Sequence, residues 1–139
     1  MSGERRRLSR RAFVALGGAS VLAGAGAWRL LGDGDDGREA HRVALRVAGA
    51  FTDLAAAQAV GAAYLGANPR ARDERRLVSQ LRRANPDWGR VAQPPAVRRL
   101  ARTEARRDYA AGRLATVGGW YLSLTEARMC ALATFVRRA

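Results

Sequence analysis

The 139-residue sequence contains no lysine, a single cysteine and a single histidine. One cysteine excludes an intrachain disulfide bond. Cys130 and His41 together supply too few ligands for a zinc or haem site of the usual kind, unless another chain provides the rest. All 25 basic residues are arginine. Alanine, glycine and valine are abundant, so this usage indicates codon bias in a GC-rich genome rather than a special chemistry.

Motifs that carry catalysis are missing as well. The sequence has no glycine-rich dinucleotide fingerprint, no P-loop and no Ser-His-Asp set with supporting motifs. Glu104 and Asp108 lie four residues apart on the apolar side of a predicted helix, where carboxylates need partners. Ion pairs with arginines of neighbouring helices explain them better than a catalytic pair does. The sequence therefore predicts a protein that is not an enzyme and that has no catalytic, cofactor-binding or metal-binding residues.

Residues 1–31 have the layout of a bacterial twin-arginine export signal. A basic stretch precedes an uncharged apolar stretch at 12–28, which is shorter than the roughly 20 residues of a comfortable membrane span. Small residues then offer cleavage sites. The sequence predicts that the twin-arginine translocase delivers the folded chain to the periplasm. The alternative that the leader is not cleaved and serves as an inner-membrane anchor is left open. The residues that define the signal are Ser9, Arg10, Arg11 and Phe13.

The remaining sequence predicts a flexible acidic linker at 32–39 and a small helical domain at 40–139. The fold class is mainly α, a bundle of four to five helices with one short β-hairpin at about 114–122. The spacing of apolar residues and the Gly and Pro positions predict helices at 41–48, about 53–65, about 71–85 and 95–112, and a last helix that starts at Ser123.

The predicted hairpin turns at Gly118-Gly119, which places Val117 opposite Trp120. Alternation then puts Trp120 and Leu122 on one face, packed on the helices, and leaves Tyr121 on the open face. Ser123 and Glu126 fit a capping box at the start of the last helix.

Arginine doublets occupy the outer faces of the third and fourth predicted helices. Residues 32–139 contain 19 arginines and 11 acidic residues. No nucleic-acid-binding motif accompanies them, aromatic residues make up only 6%, and the signal leads away from nucleic acid. Contact with an anionic inner-membrane surface is a better use of this charge.

The most distinctive segment combines aromatic residues with the glycine turn and the capped helix. Trp and Tyr are enriched among the residues that dominate binding energy at protein interfaces. The sequence therefore predicts a partner-binding surface. The alternative that the hairpin is purely structural, with Trp120 filling the core, is left open. The predicted partner-binding residues are Asp108, Tyr109, Trp120 and Tyr121.

The leader, the helical body and the segments 108–112 and 119–127 together resemble a known family. They are similar to the small subunit of membrane-bound flavin dehydrogenases of the sorbitol, fructose and gluconate dehydrogenase type. The resemblance implies a noncatalytic, cofactor-free accessory subunit or export escort of a periplasmic oxidoreductase, with a larger dehydrogenase subunit, a flavoprotein, as its partner. The alternative is a free-standing envelope binding or structural module, held near the membrane by an uncleaved leader.

Overall fold

The computed structural model describes residues 34–137. The predicted export signal, with Ser9, Arg10, Arg11 and Phe13, lies outside the described residues. The fold is mainly helical with one antiparallel hairpin, as the sequence predicts. Its elements are α1 (Gly34–Ala48), α2 (Leu54–Ala67), α3 (Glu74–Ala84), α4 (Pro94–Ala110), β1 (Leu114–Val117), β2 (Trp120–Ser123) and α5 (Leu124–Ala133), with short 3-10 turns at Pro69–Ala71 and Pro86–Gly89.

Helix α1 begins seven residues before the predicted helix start at His41. The structure therefore corrects the predicted linker from Gly34 onward. Two acidic residues, Asp35 and Asp36, occupy the first turn, where they interact favourably with the helix dipole. Glu39 accepts hydrogen bonds from Arg42 at 3.2 Å and from Arg82 of α3 at 2.8 Å. These interactions extend the helix through a segment that contains two glycines.

Helix α5 forms the centre of the core and packs against each of the other four helices. It is buried on nearly every side, which is why its sequence lacks a clear polar face. The buried residues are Thr125, Ala127, Met129, Cys130, Ala131, Leu132 and Ala133.

Gly61 allows α2 and α5 to approach closely. A Cβ atom at Gly61 would lie 2.0 Å from the carbonyl oxygen of Cys130. No side chain fits at that distance, so the two backbones touch there because the residue is glycine.

Helices α2 and α3 begin with the aspartate caps that their sequences supply. The Asp53 carboxylate accepts a hydrogen bond from the N–H of Ala56 at 2.9 Å, and Asp73 accepts one from Arg76 at 3.2 Å. Trp88 lies in the second 3-10 turn and is fully buried. Within residues 34–137, none of the helices combines the length and hydrophobicity of a membrane span.

The hairpin is joined to α4 by a glycine cap. Gly112 has a φ of 68°, and the N–H of Arg113 donates to the carbonyl of Asp108 at 2.9 Å. This 6→1 bond is the Schellman motif, which ends α4 and turns the chain into β1. Gly118 and Gly119 also have positive φ, 58° and 87°, as a two-residue turn of type I′ requires. The predicted pairing of Val117 with Trp120 is confirmed.

Candidate partner-binding surface

Three of the four predicted partner-binding residues are exposed on the hairpin or at the end of α4 that leads into it. Tyr109 is 48% exposed, Trp120 77% and Tyr121 70%, and Leu114, which the sequence analysis did not single out, is 39% exposed. These four residues form what we call the hairpin surface, in which Leu114 and Tyr121 lie on one face of the hairpin and Trp120 on the other. Among the described residues, the only other exposed large apolar side chain is Leu45 on α1.

The position of Trp120 corrects the sequence analysis. Trp120 pairs with Val117 and therefore shares its face, yet Val117 is only 6% exposed. The difference arises because Trp120 lies at the turn. A Cβ atom on Gly118 or Gly119 would have no neighbour within 4 Å, so the turn extends beyond the helices. The prediction that Trp120 packs on the helices is wrong, and the prediction that Tyr121 lies open is confirmed.

Asp108 is the residue that fixes this surface to the bundle. It is only 5% exposed, so it supports the surface from beneath. One carboxylate oxygen accepts from the Thr125 backbone N–H at 2.8 Å and from the Thr125 hydroxyl at 2.7 Å. The other accepts from Arg113 Nε at 2.8 Å. Asp108 thereby ties the end of α4, the start of the hairpin and the first turn of α5 together.

The electrostatics of Asp108 favour its charged form. Burial acts to raise the pKa of this carboxyl group, but the hydrogen bonds from Thr125 and Arg113 outweigh it and hold the pKa below its ordinary value. The carboxylate also lies at the N-terminus of α5, where the helix dipole stabilises negative charge.

Tyr109 is held by the capping box at the start of α5. Its hydroxyl donates to a carboxylate oxygen of Glu126 at 3.1 Å, and the N–H of Ser123 donates to the same oxygen at 3.0 Å. Ser123 Oγ in turn accepts from the N–H of Glu126 at 3.0 Å, so the predicted capping box is confirmed. Desolvation and the Glu126 carboxylate raise the pKa of Tyr109, in the direction that favours the protonated hydroxyl as a donor.

Glu104 is buried and takes no part in an open carboxylate pair. It accepts hydrogen bonds from Asn85 at 2.9 Å and from Arg107 at 2.7 Å. Ion pairs thus satisfy both acids, as predicted, but the arginines come from α4 itself and from the turn after it.

Elsewhere in residues 34–137, the polar side chains described below do not converge on one point. The Nδ1 atom of His41 lies 3.0 Å from Oε1 of Glu74, on the exposed side of α1 and α3. An open groove of about 400 Å³ between the same helices is lined by charges of both signs, including Asp36 and Arg83. Among residues 34–137, no group of His, Cys, Asp and Glu side chains is placed to hold a metal ion.

Sequence reasoning missed Leu114, Arg113 and Thr125. Thr125 carried a usable signal, because a hydroxyl in the first turn of a capped helix often serves a nearby carboxylate. The sequence did not indicate that this carboxylate belongs to Asp108, 17 residues earlier.

Comparisons of the chain with protein-family models, with curated proteins and with solved structures find no match.

Proposed function

We propose that the chain is a noncatalytic accessory subunit, or export escort, of a periplasmic oxidoreductase, and that it binds its partner through the hairpin surface. The observation that carries this proposal is that four of the five exposed large apolar side chains of residues 34–137 lie within the short segment 109–121. Scattered apolar residues are normal on a protein surface, whereas clustered ones mark interaction sites.

The rigidity of the hairpin surface supports the same proposal. A hairpin of two four-residue strands is marginal alone, but this one is tied to α4 and α5 through Asp108 and through the Glu126 contacts. A surface held in one conformation loses little conformational entropy on binding. A hairpin backbone anchored in this way presents its exposed side chains at a fixed position, which suits docking.

The kind of partner is inferred from the N-terminal pattern around Arg10 and Arg11 and from the resemblance to dehydrogenase small subunits. The twin-arginine route carries proteins that are already folded, as a flavoprotein with its cofactor must be. The chain brings no cofactor motif of its own. An escort for a cofactor-containing partner accounts for both features.

Co-purification tests the proposal directly. The tagged full chain is purified from its native host, and the proteins that accompany it are identified by mass spectrometry. We expect a larger dehydrogenase subunit with the wild type. Tyr121→Ala and Trp120→Ala should each weaken this association about 30-fold, the equivalent of about 2 kcal/mol. Both variants should change the free energy of unfolding by under about 0.5 kcal/mol, as exposed positions do.

Leu45→Ala is the matched control, because Leu45 is 48% exposed on α1, away from the hairpin. It should retain the partner. If both hairpin variants retain the partner as Leu45→Ala does, the hairpin surface is not the docking site. A periplasmic chain that no oxidoreductase accompanies would favour the free-standing envelope module instead.

The escort role is tested through the export signal. Replacement of both Arg10 and Arg11 by lysine should leave the chain and its partner in the cytoplasm. The control replaces Arg5 and Arg6 by lysine, which makes the same substitution outside the pattern and should leave export intact. Immunoblots of periplasmic and cytoplasmic fractions report both proteins. Delivery of the partner in the first variant would contradict the escort role.

A further inference from the structure

A row of arginines follows one face of α4 and ends at the hairpin surface. Arg99, Arg102 and Arg106 are spaced by three and four residues, which places them on the same side of the helix, and Tyr109 continues the row. All four are exposed. From Arg99 to Tyr109 the row extends for about 15 Å along the helix. We call Arg99, Arg102 and Arg106 the arginine row.

No carboxylate among residues 34–137 neutralises the arginine row. The ion pairs of α4 use other residues: Glu104 pairs with Arg107, and Asp108 pairs with Arg113. Both acids are buried, so they face away from the row. Residues 34–137 contain 18 arginines against ten acidic residues, and the arginine row contributes three of the charges that make up this excess.

We propose that the arginine row docks on the anionic phospholipid surface of a membrane. Guanidinium groups bind phosphate oxygens in a bidentate manner and shed their hydration readily. A bilayer presents phosphates in a plane, and arginines on one side of a straight helix all reach such a plane. Tyr109 suits the same boundary, because a tyrosine ring prefers the interface between apolar and aqueous regions.

The mobility of lipids favours a membrane over an acidic protein face. Headgroups diffuse laterally and bring their phosphates to the spacing of the arginine row, whereas an acidic protein face must match that spacing with fixed carboxylates. Tyr109 borders both surfaces, but the arginine row itself lies outside the hairpin surface, so its contact with lipid can be measured without the protein partner.

The test uses the purified full chain and vesicles of two compositions, phosphatidylglycerol with phosphatidylcholine and phosphatidylcholine alone. We expect binding to the anionic vesicles only, and binding that weakens as salt is added. Each arginine near an anionic surface contributes about fivefold in affinity. The triple variant Arg99→Gln, Arg102→Gln and Arg106→Gln should therefore bind about 100-fold more weakly, with unchanged helical circular dichroism.

The matched control removes the same charge from another part of the molecule. Arg70, Arg76 and Arg83 are exposed on the first 3-10 turn and on α3, and glutamine at all three should cost only the small loss that long-range attraction produces. Both triple variants keep residues 1–33, so any contribution from the leader cancels in the comparison.

Two results would overturn the proposal. Equal losses in both triple variants would mean that net charge, rather than the arginine row, attracts the vesicles. Unchanged vesicle binding in the row variant would remove the lipid contact, and if that variant also lost the co-purifying oxidoreductase, the row would belong to the protein interface. A loss confined to the row variant supports the proposal.

Discussion

Replacement of Asp108 by asparagine should destabilise the domain far more than a change at an exposed acid. The carboxylate is nearly inaccessible and accepts three hydrogen bonds, two of them from Thr125. Hydrogen bonds to a charged group contribute about 1.5–3 kcal/mol each, and a buried donor left without an acceptor costs about 1–3 kcal/mol. Asparagine offers one acceptor oxygen, removes the charge at the α5 N-terminus and adds donors that have no acceptor.

We therefore expect Asp108→Asn to lower the free energy of unfolding by about 3 kcal/mol, measured by urea denaturation at neutral pH. For a domain of this size that corresponds to a fall in Tm of more than about 10 °C. Asp87→Asn is the control, since Asp87 is exposed and its pairing with Arg90 at 3.6 Å is loose. The control should cost less than about 0.5 kcal/mol. Equal effects of the two substitutions would refute the reasoning.

The pH dependence gives a second check. Because the pKa of Asp108 lies below its ordinary value of 3.8, its contribution to stability is present above that value and is lost as the pH falls through the folded-state pKa. The gap between wild type and Asp108→Asn should therefore be constant above about pH 5 and narrow below about pH 4. A gap that stays the same in acid would show that the carboxylate charge does not stabilise the fold.

Three further predictions concern packing, reactivity and the turn. Gly61→Ala should destabilise the domain by about 2 kcal/mol because its Cβ meets the backbone of α5. Gly66→Ala is the control in the same helix, with no neighbour within 4 Å of its Cβ, and it should stabilise the domain by up to about 1 kcal/mol. Thermal melts that show equal effects of the two substitutions would refute the close contact. Burial, and then the Glu126 charge, raise the pKa of the Cys130 thiol to about 11, so alkylation near pH 8 should be slow until urea unfolds the chain, and fast labelling of the native protein would contradict this. Gly118→Val should cost at least about 1–2 kcal/mol because its φ is positive, and an unchanged melt would argue against the type I′ turn.

Local signals in the sequence predicted most of the fold. The capping box at Ser123 and the glycine turn at 118–119 each depend on residues within four positions of one another, and both are confirmed. The start of α1 was missed because Gly34 and Gly37 are poor helix formers. Contacts such as the one between Glu39 and Arg82, 43 residues apart, outweigh that weak preference.

In the candidate site too, local sequence patterns gave correct predictions and features that depend on distant parts of the chain were missed. Alternation along β2 assigned Tyr121 to the open face correctly. It failed for Trp120, because a pattern of alternation does not tell how far the supporting helices extend beneath a strand. The role of Asp108 also escaped prediction, since its partner Thr125 becomes a neighbour only after the chain reverses through the hairpin.

The central position of α5 determines how this chain reaches its native state. A helix of ten residues is too short to persist in water, and its buried sides face α1 and α2, which lie more than fifty residues earlier in the chain. The rate-limiting event must therefore close long loops, which makes folding slower than in bundles whose consecutive helices pair. Until that closure, α2 lacks its main packing partner, which is α5. The domain should consequently fold in one concerted step, with chaperones competing for the open chain beforehand.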